Sequence, residues 1–254
     1  MVSLKSAAEL ELMREAGRVV ADTLRTVAEA ARPGVTLQEL DEVAARVIRE
    51  AGAKPSFLGQ RPHRDVPPFP GVLCLSVDDV VVHGVPNRHV LRSGQLLSID
   101  AGAVVGGYHA DAATTVAVGT ADAAGERLCE ATRAALDAAV AAMVPGGRLG
   151  DLGYAVQEVA AAYGYGVLRH HGGHGVGTEL HEDPHVPNHG RPGRGYRLRE
   201  GLVLALEPMF LESGGDAYRL LPDGWSLATA DGSRAAHFEH TVAVTADGPL
   251  VLTA

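Results

Sequence analysis

Cysteine is nearly absent: Cys74 and Cys129 are the only two, enough for at most one bridge and not spaced as a metal-binding pair. A disulfide-held scaffold and a Cys-built structural zinc site are both excluded, and a reducing cytosol is the expected compartment. No apolar run reaches the roughly 18–20 residues needed to span a bilayer. Met1-Val2-Ser3-Leu4-Lys5 leads straight into a charged amphipathic segment, with no apolar h-region of a secretory signal. Positive charge is in deficit, with 22 Lys and Arg against 31 Asp and Glu and a formal net charge of −9. That argues against a nucleic-acid-wrapping surface, because an acidic chain is repelled along a phosphate backbone. No Pro/Gly/Ser-rich linker divides the chain; "GTADAAGE" near residue 120 is only a short turn. What remains is 254 residues, 46% hydrophobic, enough to bury a substantial core.

Helical spacing of Leu10, Met13, Ala16, Val20, Leu24 and Val27 predicts a helix over Leu4–Ala31, stopped by Pro33-Gly34. Thr36 with Glu39 forms a capping-box signature for a second helix, ending at Gly52. The pattern then recurs. Gly125–Val144 reads as helix, Pro145-Gly146-Gly147 breaks it, and a helix from Leu149 ends near Gly164. "PGVTLQEL" at Pro33–Leu40 and "PGGRLGDL" at Pro145–Leu152 match at Pro, Gly, Leu and Leu, at an offset of 112 residues. Strand material follows each helix pair: Gln95–Ala103 and Tyr108–Val118, with Gly106-Gly107 between them, then Leu202–Leu206 and His237–Val244. The expectation is an α+β fold: one pseudo-twofold domain over 1–254, halves of about 4–118 and 120–245, with helices on one face of a curved antiparallel sheet and the active face on the other.

Four acidic residues sit among apolar neighbours in these strands: Asp100 in "LLSIDAGA", Asp111 in "YHADAATTV", Glu207 in "LVLALEPMF" and Glu239 in "AHFEHTVAV". A buried carboxylate costs several kcal/mol unless it is paired or metal-bound. If the hairpin turns at Val105-Gly106, Asp100 and Asp111 lie directly opposite, and a shared divalent ion relieves their repulsion. The glycine-rich "HHGGHGVGTELHEDPH" offers His170, His171, His174, His181 and His185, with His174 the best ligand candidate. His83 ends the apolar "VVVHGVP". An oxygen-rich set with one imidazole suits Mn, Fe(II), Co or Zn.

These motifs resemble type I methionine aminopeptidase, of the pita-bread metallopeptidase fold. The resemblance runs from about Leu4 to Val244. "VVVHGVP", "IDAGAVVGGYHADAATT", "GHGVGTELHEDPHVPN", "LEPM" and "DGSRAAHFEHTV" stand in the family's order and spacing. It implies a metal-dependent exopeptidase that removes an initiator methionine when the second residue is small, with two divalent ions as cofactors. The metal ligands implied are Asp100, Asp111, His174, Glu207 and Glu239. Asp111 and Glu239 would bridge both ions, Asp100 would serve one, and His174 and Glu207 the other. Glu207 is the implied proton shuttle. His83 would lie near the substrate amine and scissile amide, and His181 would hydrogen-bond substrate. Phe69, Cys74 and Trp225 would line the methionine pocket. Asp78 stands where the family has an asparagine that helps hold a monovalent cation nearby. Implied partners are nascent-chain N-termini and, transiently, the ribosome, for a monomeric cytoplasmic enzyme without membrane or nucleic-acid attachment.

The loop between Phe57 and Asp79 departs from the family pattern, and its Arg61, His63 and Arg64 are expected at the rim of the substrate cleft. Three alternatives stand beside this reading. One is a prolidase-like relative, usually with an added N-terminal domain. Another is a binding module that keeps the fold, whose known examples lose metal carboxylates. The third is a structural set of acids neutralised by the 20 arginines, yet "LLSIDAGAVV" and "LVLALEPMF" contain none.

Overall fold

Capping chemistry starts each helix. Ser6 and Glu9 form a capping box at the head of α1 (Ala7–Ala30), and Thr36 and Glu39 form one at α2 (Leu37–Glu50). The Asp122 side chain accepts from Gly125 N–H at α3 (Ala123–Ala142). α4 (Leu149–Tyr163) ends on Gly164, left-handed at φ 78°, a conformation glycine adopts without a Cβ penalty. The computed structural model describes residues 2–61, 64–168 and 170–254.

After α1 and α2 come β1 (Lys54–Pro55), β2 (Leu73–Val77), β3 (Val80–Val82), β4 (Leu96–Val105) and β5 (Tyr108–Ala117). After α3 and α4 come β6 (Gly166–Val167), β7 (Gly172–Gly175), β8 (Glu182–Pro187), β9 (Val203–Leu206), β10 (Met209–Leu211), β11 (Tyr218–Leu220), β12 (Leu227–Thr229), β13 (Ala235–His237), β14 (Glu239–Thr245) and β15 (Gly248–Val251). One nine-stranded sheet runs β1-β4-β5-β14-β9-β7-β8, with β2 also on β4 and β15 also on β14. Small sheets β13-β10-β6 and β11-β12-β3 flank it. Every pairing between these strands is antiparallel.

Two cores cover the helix face of the large sheet. α1 and α2 bury Val20, Leu24, Val27 and Leu40 against Leu97, Ile99, Ala101 and Ala112. α3 and α4 bury Leu128, Leu136, Leu152 and Val156 against Leu204, Leu206, Val242 and Val244. Each fully buried aliphatic side chain contributes about 1.5–3 kcal/mol. The two halves also share a tie. Gly34 N–H donates to Leu91 O, Leu91 N–H to Val35 O and Leu37 N–H to His89 O, at 2.9, 2.8 and 3.2 Å. In the second half Gly146 donates to Leu198, Leu198 to Gly147 and Leu149 to Tyr196, at 2.9, 2.8 and 3.0 Å.

The structure differs from the sequence expectation in four places. The β4–β5 hairpin turns at Gly106-Gly107, both with positive φ, and pairs Val105 with Tyr108. That is the Gly106-Gly107 hairpin signal of the sequence, one residue later than the Val105-Gly106 turn that would set Asp100 opposite Asp111, because two successive positive-φ positions make the turn whose twist matches the flanking strands. Asp100 therefore pairs with Ala113 and Asp111 with Gly102, which makes the two acids diagonal neighbours. Glu207 is not mid-strand: β9 ends at Leu206, and Pro208, which has no N–H, cannot continue the ladder. Glu239 is the first residue of β14. The segment from Phe57 to Asp79 is not all loop, since β2 runs within it along β4.

Candidate metal centre and substrate cleft

Alternation along strands puts Leu97, Ile99, Ala110, Ala112, Leu204, Leu206, Val242 and Val244 under the helices, and Asp100, Asp111, Glu239 and Thr241 fall on the opposite face. The register then gathers the acids. Asp100 and Glu239 both pair with Ala113, so one row across the sheet holds a carboxylate on either side of a small residue. In the next row Asp111 faces Gly102, its backbone N–H donates to Thr241 Oγ1 at 2.9 Å, and the Thr241 hydroxyl returns a bond to Asp111 O at 2.7 Å. Thr241 pairs with Ala205, and Ala205 with His174. Glu207 follows two residues after Ala205. Glycine and alanine at the intervening positions leave the space above the sheet open. Gly173 lets β7 approach closely, since a Cβ there would lie 1.9 Å from Ala205 O.

Ligand atoms of Asp111, His174 and Glu239 all lie within 4.8 Å of one another. His174 Nε2 is 3.8 Å from Asp111 Oδ2 and 3.9 Å from Glu207 Oε1. His174 Nδ1 lies 2.9 Å from Gly175 O. With Nδ1–H donating to that carbonyl, the tautomer is set and the Nε2 lone pair is directed at the carboxylates. Asp100 and Asp111 line the same pocket, with His174, Glu207 and Glu239. The five sequence-derived candidates therefore share one face.

Their electrostatics ask for a cation. Asp100 Oδ1, Asp111 Oδ1 and Glu239 Oε1 are buried without a hydrogen-bond partner. Burial first, then the neighbouring carboxylates, pushes Asp100, Asp111 and Glu239 well above the usual carboxylate range. Burial pushes Glu207 from 4.5 up to about 8. Burial also lowers His174 to about 3, keeping its imidazole neutral. Arg234, a partly buried arginine, is spent elsewhere, on Glu212 at 2.8 Å and Asp122 at 3.0 Å. Orphaned anionic oxygens around a neutral imidazole fit divalent cations of the borderline kind.

Two connected spaces lie over this face. The inner one, about 70 Å³, has Asp100, Asp111, His174, Glu207 and Glu239 in its wall, along with Phe57, Gln60, Phe69, Cys74, Leu180 and Trp225. The outer one, about 450 Å³, is rimmed by His170, His171, His185 and Asp183. His83, His174, His181 and Glu207 border both. The ring centroids of His174 and His181 are 4.4 Å apart. His83 sits just after β3 at φ 60°, unusual for a non-glycine residue, and burial lowers its pKa to about 4. Phe69 meets Trp225 edge-on at 5.1 Å, and Trp225 Nε1–H donates to Pro67 O at 2.9 Å. Gly59 and Phe69 tie the ends of the unusual loop together, at 2.9 Å for Gly59 N–H to Phe69 O and 2.8 Å for Phe69 N–H to Gln60 O. Arg61 and Arg64 are exposed, while His63 lies outside the described residues. Asp78 accepts from Leu96 N–H and from the Gln95 amide, each at 2.9 Å.

Sequence reasoning missed Phe57, Gln60 and Leu180 as wall residues, and His237, whose Nε2 lies 3.5 Å from Glu207. Phe57, Gln60 and Leu180 carry no spacing signal. For His237 a signal existed, a histidine two residues before Glu239 among small apolar residues.

A family model, metallopeptidase family M24, matches residues 11–246. The Mycobacterium tuberculosis protein called methionine aminopeptidase 1 is 50% identical over 260 residues, covering 100% of this chain and 95% of that protein. A crystal structure of a methionine aminopeptidase from Thermotoga maritima superposes with a TM-score of 0.95 at 40% identity, covering 100% of this chain and 99% of that one. One from Rickettsia prowazekii gives a TM-score of 0.95 at 34% identity, covering 100% of each chain. The architecture they share with this chain is a curved antiparallel half-barrel with flanking helices.

Proposed function

Because the chain belongs to metallopeptidase family M24, and within it to the methionine aminopeptidases, we propose that it removes N-terminal methionine with two divalent ions held by Asp100, Asp111, His174, Glu207 and Glu239. Asp111 and Glu239 would hold both ions, Asp100 one, and His174 and Glu207 the other. Such ions, when bound, supply polarisation of the scissile carbonyl and a lowered pKa for the attacking water. The chain's own residues do the rest. Glu207 takes the proton released by the water and passes it to the leaving amine, a role suited to a carboxylate whose surroundings favour its protonated form. His181, at the junction of the two spaces, donates to the carbonyl oxygen as charge develops there. His83 faces the substrate amine and the scissile amide. Phe69, Cys74 and Trp225 offer an apolar wall to a flexible thioether.

The observation that carries this reading is the meeting of orphaned carboxylate oxygens with the His174 Nε2 in the wall of an apolar pocket. The metal is one of Fe(II), Mn, Co or Zn, with a monovalent cation near Asp78 as a further element of the proposal. Residues 1–254 act as one catalytic domain whose halves, about 4–118 and 120–245, are near-twofold repeats, supported by the matching hydrogen bonds around Leu91 and Leu198. The substrate is the N-terminus of nascent chains, met by a cytoplasmic monomer in passing contact with the ribosome. No helix among the described residues is long and apolar enough to cross a membrane. Mass spectrometry of the products from Met-Ala, Met-Leu and Xaa-Pro peptides tests the reading. Release of methionine from Met-Ala alone is the expected result, and cleavage confined to Xaa-Pro would overturn it.

A further inference from the structure

His237 is 2% exposed, and its Nε2 has no hydrogen-bond partner. That nitrogen lies 3.5 Å from Glu207 Oε2 and 3.9 Å from Glu239 Oε2. Its backbone is held independently of the ring: His237 N–H donates to Thr115 Oγ1 at 2.9 Å, and the Thr115 hydroxyl donates to His237 O at 2.8 Å. A strand pairing with Met209 adds to this anchoring. A buried, unpartnered ring nitrogen is a costly thing to keep unless something draws on it. Among the described residues no other side chain donates to the Glu207 carboxyl: Asn188 Nδ2–H reaches only its backbone carbonyl, at 2.9 Å.

We propose that His237 is a positioning residue for the reaction: its Nε2–H donates to the Glu207 carboxylate and fixes which oxygen faces the metal centre. The inference rests on the methionine aminopeptidase reading. A turn of the Glu207 side chain that closes the gap by roughly half an ångström gives an ordinary N–H···O bond. With Oε2 held by His237, Oε1, the oxygen nearer His174, is left for the cation and the proton it handles. Outer groups of this kind set ligand orientation and basicity, and losing one costs about 10–100-fold in metal affinity or activity.

The test combines a spectrum with three variants. In the zinc-loaded protein, ¹H–¹⁵N correlation of the imidazoles should show His237 with a proton on Nε2. In H237L, which removes the donor at similar volume, kcat on a Met-Ala peptide should fall by on the order of 10–100-fold with KM little changed. Manganese affinity, measured by calorimetry on chelator-stripped protein, should weaken by a similar factor. H237A should follow H237L, whereas H237Q, which restores an N–H at that position, should recover both quantities to within a fewfold. An unprotonated, metal-shifted Nε2 would make His237 a direct ligand and overturn the proposal. So would H237Q no better than H237L, or H237L as active as the parent. If H237L does not fold, the spectrum and H237Q decide. Absence of methionine release by the parent protein would instead sink the functional reading, leaving the spectrum and the calorimetry to judge His237.

Discussion

Asp100 and Asp111 stand two positions out of register on adjacent strands, and burial, helped by the Asp111 carboxylate, holds Asp100 well above the usual carboxylate range. Two carboxylate anions cannot share a proton that neither carries, so the pair is stable only protonated or with a cation between them. Substituting Asp111 with Asn removes one of the carboxylates proposed to hold the ions. The several kcal/mol of stabilisation that metal ions supply corresponds to a loss on the order of 10³-fold in kcat/KM. At pH 8 in chelator, however, D111N should melt at a higher temperature than the parent, because one buried charge is gone. Thermal melts with and without manganese check both halves of this prediction.

The pH dependence of the chelated protein follows from the same groups. Glu207, raised from 4.5 to about 8, binds more protons folded than unfolded. Its contribution is full below pH 4.5 and is lost as pH rises through about 8. Asp100, Asp111 and Glu239 act in the same direction. His83, His174 and His237, lowered by burial to about 4, 3 and 3, act oppositely, but only below their ordinary 6.5. Between pH 6.5 and 8 the carboxyls alone are in play. Denaturant melts in chelator should therefore show stability falling across that window by a few kcal/mol, and saturating metal should flatten the slope.

Lys5 and Glu182 form an ion pair at 2.6 Å, with side chains 3% and 13% exposed. Glu182 follows His181 directly on the cleft wall. K5M should cost about 3–5 kcal/mol by leaving the Glu182 carboxylate with the Ser3 hydroxyl but no cation, and K5M/E182Q should recover part of that. A double-mutant cycle in urea measures the coupling, and kcat should follow His181 mobility in K5M.

Trp225 holds the unusual loop by its bond to Pro67 and its edge contact with Phe69. W225F keeps a smaller aromatic ring and loses the bond, worth about 1 kcal/mol, so KM for Met-Ala peptides should rise severalfold with kcat nearly unchanged. R61A/R64A should lower kcat/KM on long Met-Ala peptides more than on a dipeptide analogue. Equal effects on both would leave these arginines as plain surface residues.

The helices and four acids were legible in the sequence because their signals are local: capping boxes, 3.6-residue periodicity, and carboxylates isolated among Val, Leu and Ile. The diagonal placement of Asp100 and Asp111 was not, because it turns on which two residues form the hairpin, and Gly106-Gly107 and Val105-Gly106 differ by one step of register. β7 was invisible for another reason. "GGHG" has no strand propensity and pairs only because its glycines admit the neighbouring backbones. Phe57, Gln60 and Leu180 come together from distant segments, so only the fold could name them. The family resemblance supplied roles for His83 and His181 that their surroundings alone do not declare.

The most direct test of the metal centre is anomalous diffraction from crystals of the chain soaked in manganese, with data collected on either side of the manganese edge. Two peaks flanked by Asp111 and Glu239, one reached by Asp100 and the other by His174 and Glu207, are the predicted result. A single peak remote from these carboxylates, in crystals whose dissolved protein still releases methionine, would contradict it.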